Sequence, residues 1–253
     1  MDFIKKEPAD WTPENIEAFW NWQSQYHPAK NNYFTAHLSV GIVRFLKNKG
    51  LVKGKLLDYG CGSGHLLEQL GKMRHTECYG IDFSPASVKE TLRRTNKFPN
   101  IKKVILAEQI PLPFDNNCFD TITFIETIEH LSDDMLCNTI AELFRVLKKG
   151  GKIFITTPFN EDLSAHLAFC PFCRSAFHHV QHMQTFTVER MNAIFRENGF
   201  TIISCRAMDM QLYKLGWLKY SIKRLLIKAA EITGLKEPVT NKCPNLVTIV
   251  SKA

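Results

Sequence analysis

A chain of 253 residues with 45% hydrophobic content is long enough to bury one sizeable core, and its net charge of +7 tolerates anionic surfaces without demanding a nucleic-acid partner. No apolar run approaches the ~18 residues of a membrane span, and the charged start Met1-Asp-Phe-Ile-Lys-Lys-Glu-Pro lacks the pattern of a signal peptide. The eight cysteines are scattered apart from Cys170 and Cys173, which fits a reducing, cytosolic setting better than a disulfide framework.

Residues 1–50 read as a helical lid. Trp11–Gln25 carries three of the four tryptophans and places Ile16, Phe19 and Trp20 at helical spacing, behind Thr12-Pro13 as cap and first-turn proline. Its aromatic face either covers a ligand or docks on the core, docking being the simpler role. Thr35–Lys49 is a second helix with Leu38, Ile42, Phe45 and Leu46 on one face, and Gly50 is its stop signal.

The stretch Lys55–Leu66, Lys-Leu-Leu-Asp-Tyr-Gly-Cys-Gly-Ser-Gly-His-Leu, reads as a strand, a tight turn and a helix start. Gly60, Gly62 and Gly64 permit positive φ and remove Cβ, so a ligand can approach the backbone and the free N–H groups of the next helix. His65 stands where a GxGxxG fingerprint needs its third glycine, which argues against a nicotinamide cofactor while leaving another nucleotide-like one. Four more strands are expected at Cys78–Asp82, Ile101–Ala107, Phe119–Ile125 and Lys152–Thr157, alternating with helices as in a parallel sheet covered on both faces. Asp82, 22 positions after Gly60, ends one of them where a carboxylate can accept ribose hydroxyls; Ser84-Pro85 caps the following helix.

Two clusters suit metal chemistry. Glu126, Glu129 and His130 would share one face if they opened a helix, and two carboxylates with an imidazole suit a divalent ion; the bland alternative is a polar pocket wall. Cys170-Pro-Phe-Cys173, followed by His178 and His182, has ligand types and spacing for a small zinc loop; the alternative is a reduced cysteine pair on a loop covering the substrate. His182 cannot serve both sites. Farther on, Leu218, Ile222, Leu225, Ala229 and Ile232 form one helical stripe with Lys219, Lys223, Arg224 and Lys228 away from it. That helix, in residues 217–232, suits peripheral contact with an anionic membrane or, more simply, a cover for the protein's own site.

Asp58-Tyr-Gly-Cys-Gly-Ser-Gly64, Asp82, Leu112-Pro-Phe…Phe119-Asp120, Glu129-His130-Leu131 and Leu147-Lys-Lys-Gly-Gly, in this order, resemble the class I S-adenosylmethionine (SAM) methyltransferases over about Leu51–Phe200. The resemblance implies a Rossmann-like, doubly wound α/β fold: a mostly parallel seven-stranded sheet, Thr201–Arg206 and Leu246–Ser251 supplying the last two strands and the final one antiparallel. Its domains would be a lid at 1–50, a SAM-binding core at 51–208 and 243–253, and an inserted helical segment at 209–242. SAM would be held by Asp58, Gly60, Cys61, Gly62, Gly64, Asp82, Phe83, Glu108 and Gln109, with Glu108 or Gln109 meeting the adenine. The ExxEH pattern is similar to that of ubiquinone-biosynthesis O-methyltransferases and small-RNA 2′-O-methyltransferases. By that likeness Glu126, Glu129, His130 and a downstream His182 hold Mg²⁺ or Zn²⁺ at the acceptor, with His130 as general base or ligand. The expected activity is methyl transfer to a hydroxyl of a small sugar-like, quinol-like or lipid-like acceptor. An RNA 2′-O-methyltransferase and a catalytically silent SAM-binding subunit are the alternatives; no basic stripe interleaved with aromatics supports the first.

Overall fold

The computed structural model describes residues 11–26, 33–107, 110–214, 222 and 244–253. Its strands are β1 (Gly54–Tyr59), β2 (Thr76–Asp82), β3 (Ile101–Leu106), β4 (Phe119–Ile125), β5 (Leu147–Pro158), β6 (Leu167–Phe169), β7 (Ala176–His178), β8 (Phe200–Met208) and β9 (Asn245–Lys252). The described helices are α1 (Pro13–Gln25), α2 (Phe34–Asn48), α3 (His65–Gly71), α4 (Pro85–Thr95), α5 (Asp133–Val146) and α6 (Val188–Glu197). Seven strands form one sheet in the order β3-β2-β1-β4-β5-β9-β8, parallel through β5, with β9 running antiparallel to both β5 and β8. The expected fold is present, with its antiparallel final strand.

Alternation along β1 explains the two-sided core. Leu56 packs with Ile42, Leu46, Leu67 and Phe154 on one face, whereas Leu57 packs with Ile122, Ile140, Leu143 and Phe195 on the other. Each such buried side chain contributes roughly 1.5–3 kcal/mol of transfer free energy, so the sheet is anchored from both faces. Helix starts follow the local signals: Thr12 Oγ1 accepts from Asn15 N, Ser84 Oγ from Ser87 N and Ser132 Oγ from Met135 N.

The chain winds from β1 to β2 and β3 on one side, then crosses to β4 on the other side of β1. That reversal opens a crevice beyond the carboxyl ends of β1 and β4, the general ligand position in such sheets. Two features depart from expectation. β5 begins at Leu147 rather than Lys152, pairing Phe119 with Leu147 across a register shift. The segment expected as a cysteine loop folds into a two-stranded antiparallel ribbon, β6 with β7. After β8, Met210–Lys214 forms a short 3-10 turn whose Tyr213 sits edge-on to Phe45, 5.0 Å between ring centres. The basic stripe expected within residues 217–232 lies outside the described residues, Ile222 excepted. No described helix is long and apolar enough to cross a membrane.

Candidate active site

The glycine loop builds the floor of a cavity of about 530 Å³, within the range of small-molecule sites. Gly60 has φ +75°, and a Cβ there would lie 2.4 Å from Thr127 Oγ1, so β1 and the turn after β4 meet only through glycine. Gly62 has φ +51°, and a Cβ there would meet nothing closer than the Tyr33 ring at 4.0 Å: its open side faces the cavity it lines. The Gly60 and Cys61 N–H groups both donate to Ile81 O at 2.9 Å, tying the loop to β2.

Asp82 lies across this loop. Its Oδ2 accepts from Gly62 N at 2.8 Å and its Oδ1 from Ser84 N at 3.0 Å. Burial pushes its carboxyl up to about 6, against the pull of those two backbone donors. Gly60, Cys61, Gly62, Asp82 and Phe83 line the cavity as expected of cofactor contacts. Asp58 and Gly64 do not. Asp58 is turned into the sheet, accepting from Thr123 Oγ1 at 2.7 Å, and burial raises its carboxyl to about 7; Gly64 caps α3. Both shape the loop from behind. Glu108 and Gln109 lie outside the described residues. An open glycine floor beside an acidic strand end fits a nucleoside-type cofactor such as SAM.

Glu126 and His130 line the same cavity. The expected shared helical face is not what carries them: Glu126, the residue after β4, is in left-handed conformation at φ +45°, Ile128–His130 is a 3-10 turn, and α5 starts only at Asp133. Convergence comes instead from the chain after β7, which folds back so that Met183 N and Gln184 N donate to Glu129 O at 2.8 and 3.1 Å. This brings His182 to the cluster, its ring 4.8 Å from that of His130. Ligand atoms of Glu129, His130 and His182 all lie within 4.8 Å of one another. Glu126 stands outside that set, a correction to the four-residue site.

The electrostatics of this set are unusual. Glu129 is completely buried and neither carboxylate oxygen has a hydrogen-bond partner; Glu126 Oε1 has none either. Burial raises both carboxyls, Glu126 to about 7 with Glu161 adding repulsion, and Glu129 further with Glu126 adding repulsion. His130 is held down to about 3, first by burial and then by His182, so it is neutral. Its Nδ1 faces Gln181 O at 3.2 Å and must donate there, which leaves Nε2 as the lone-pair nitrogen. His182 Nδ1 lies 2.5 Å from Glu161 Oε2 and donates likewise. Lone pairs thus crowd together, with the Thr156 and Thr157 hydroxyls beside the carboxyls as the nearby donors. Their chemistry fits a divalent cation, or a proton shared with a bound hydroxyl.

The zinc set is not assembled. Cys170 and Cys173 sit at the turn of the β6–β7 ribbon, where Cys170 N donates to Ser175 O, while His178 and His182 turn to Glu161. Sequence reading missed Glu161 and Gln181 altogether. Gln181, at φ +62°, donates through Nε2 to His130 O at 3.0 Å and accepts from Trp20 Nε1 at 2.8 Å, joining lid, loop and site. Only its place in the run His178-His-Val-Gln-His182 hinted at it. A second cavity of about 690 Å³ shares Phe34 with the first and reaches Glu161, Asp162, His37, His166 and Phe159.

The family model described as "Methyltransferase domain" matches residues 19–205. Among curated proteins, the chain is 32% identical over 113 residues to the chloroplastic tocopherol O-methyltransferase of Arabidopsis thaliana, covering 44% of this chain and 32% of that protein. It is 30% identical over 138 residues to a demethylmenaquinone methyltransferase of Staphylococcus aureus, covering 53% and 56%. The matches thus span about a third to just over half of these two relatives' lengths. Among solved structures, Burkholderia thailandensis 1,6-didemethyltoxoflavin-N1-methyltransferase, with bound 1,6-didemethyltoxoflavin and S-adenosylhomocysteine, superposes at TM-score 0.62 and 15% identity, covering 96% of this chain and 91% of that one. A SAM-dependent methyltransferase from Aquifex aeolicus gives 0.57 at 16%, covering 86% and 93%. The chain belongs to the class I SAM-dependent methyltransferase family.

Proposed function

We propose that this member of the family transfers the SAM methyl group to a hydroxyl of a small polyhydroxylated acceptor, sugar-like rather than quinol-like. The observation that supports an oxygen acceptor is Glu129: a fully buried carboxyl group whose two oxygens make no hydrogen bond of good geometry, packed behind His130, which itself lines the cavity. Such a group is costly to keep unless a cation or a hydroxyl proton completes it. The second cavity supports the sugar-like class, because Glu161, Asp162, His37 and His166 line it together with the Phe34 and Phe159 rings, a set suited to hydroxyls on an apolar ring face.

Bound SAM supplies an already activated methyl on its sulfonium. The residues' tasks are then to hold, align and dry. Gly60, Gly62 and Asp82 hold the nucleoside side. His130 Nε2 accepts the acceptor's proton, Glu129 beside it offsets the charge the imidazole gains, and Trp20 on the lid, edge-on to His130 at 4.8 Å, keeps water from the pair. A divalent cation held by Glu129, His130 and His182 would lower the pKa of an acceptor hydroxyl.

Methyl transfer from radiolabelled SAM to a panel of monosaccharides, nucleotide sugars, quinols and catechols tests this. Label should appear as an O-methyl ether of a sugar-type acceptor and fall at least about 100-fold in His130→Ala, the usual contribution of a general base. Loss of turnover with chelator, restored by Mg²⁺ or Zn²⁺, would assign the cation. Exclusive N-methylation, or transfer to quinols alone, would overturn the acceptor class.

A further inference from the structure

The lone pairs offered by Glu129, His130 and His182 depend on which nitrogen each imidazole presents, and Glu161 controls one of them. Its Oε2 accepts from His182 Nδ1 at 2.5 Å, while its Oε1 lies 3.5 Å from His178 Nε2. His178 Nδ1 accepts the His182 backbone N–H at 3.2 Å, so the neutral His178 ring carries its proton on Nε2, facing the carboxylate. The two rings stack, 4.5 Å between centres and 16° between planes. His178 is only 4% exposed, so water does not compete for Glu161 on that side.

From this geometry we propose that Glu161 is the positioning residue of the site: it holds His182 in the Nδ1–H tautomer, leaving Nε2 as the lone pair presented beside Glu129 and His130, while the His178 ring stacks on His182. A carboxylate behind a histidine in this way fixes the ring and raises the basicity of its far nitrogen, an effect on metal affinity of about 10–100-fold. The consequence for a cation rests on the reading of the site given above. The tautomer does not.

Two readouts separate these. Two-dimensional ¹⁵N NMR of the full-length, histidine-labelled protein without metal should show His182 protonated on Nδ1. Glu161→Gln should keep that tautomer, because the amide oxygen accepts the same proton, and Glu161→Ala should shift it toward Nε2–H. Mn²⁺ titration followed by water-proton relaxation should show binding weakened about 10–100-fold in Glu161→Ala and less in Glu161→Gln, with S-adenosylhomocysteine affinity unchanged in both. His182 protonated on Nε2 in the wild type would overturn the proposal even if Glu161→Ala failed to fold. So would a Glu161→Ala protein that kept both the tautomer and the Mn²⁺ affinity. A wild type that binds no Mn²⁺ but shows the expected tautomer and its shift would remove the cation reading and leave Glu161 as positioning residue for a base.

Discussion

At Asp82 a single carboxylate ties the glycine loop to the turn before α4. Its raised pKa means that the folded protein binds this proton more tightly than the unfolded chain does. Its contribution to stability is therefore full below the unfolded value and is lost as pH rises through about 6, so at neutral pH the ionised group is a burial cost that the hydroxyls of a ribose bound there would offset. SAM affinity measured by calorimetry should weaken as pH falls from 7 to 5, while Asp82→Asn should bind at least about tenfold more weakly at neutral pH and lose that dependence. A wild-type affinity flat across this range would detach Asp82 from the ribose. The glycines separate folding from binding: Gly60→Ala should lower the melting temperature, since Thr127 and backbone strain both oppose it. Gly62→Ala faces open cavity and should cost only about 1 kcal/mol of strain while reducing SAM affinity far more, a difference that thermal scans with and without ligand will resolve.

Helix α1 is joined to the core through its polar face. Asn21 Oδ1 accepts from Ser84 Oγ at 2.8 Å and from Ala86 N at 3.3 Å, Ser24 Oγ pairs with Ser87 Oγ at 2.6 Å, and Trp20 reaches Gln181. Each bond is worth about 1 kcal/mol net, so Asn21→Ala with Ser24→Ala should loosen the lid and leave the sheet intact. Hydrogen exchange of α1 amides should accelerate, with SAM binding about tenfold weaker; unchanged exchange would make α1 a fixed wall. At this scale much was legible in the sequence. Thr12-Pro13, Ser84-Pro85 and the glycine triplet are local signals, and each fell where its chemistry required. The turn after β4 was not legible, because a left-handed Glu126 and a 3-10 turn depend on contacts with Thr156 and with the chain after β7 rather than on helical spacing. Cys170 and Cys173 had the spacing of ligands, but strand pairing between Leu167 and His178 sets the distance between cysteines and histidines.

Across the whole molecule, the switch in strand order sets one cavity beyond β1 and β4, and the returning β7–α6 segment packs the carboxylate–histidine cluster behind His130, which lines it, while Glu161 lines a second cavity. The family and fold follow from ordered motifs; the cluster's members Glu161 and Gln181 follow only from where distant chain segments meet. The proposed activity needs the SAM nucleoside over Gly62 and Asp82 and an acceptor oxygen beside His130, all of which line the first cavity. Crystals grown with S-adenosylhomocysteine and Mn²⁺, measured for anomalous diffraction, test it most directly. The ribose should lie on Asp82 above Gly62, with an anomalous peak among Glu129, His130 and His182. The product bound away from Gly62 and Asp82, or the peak found at Cys170 and Cys173 with Glu129 still unpartnered, would contradict it.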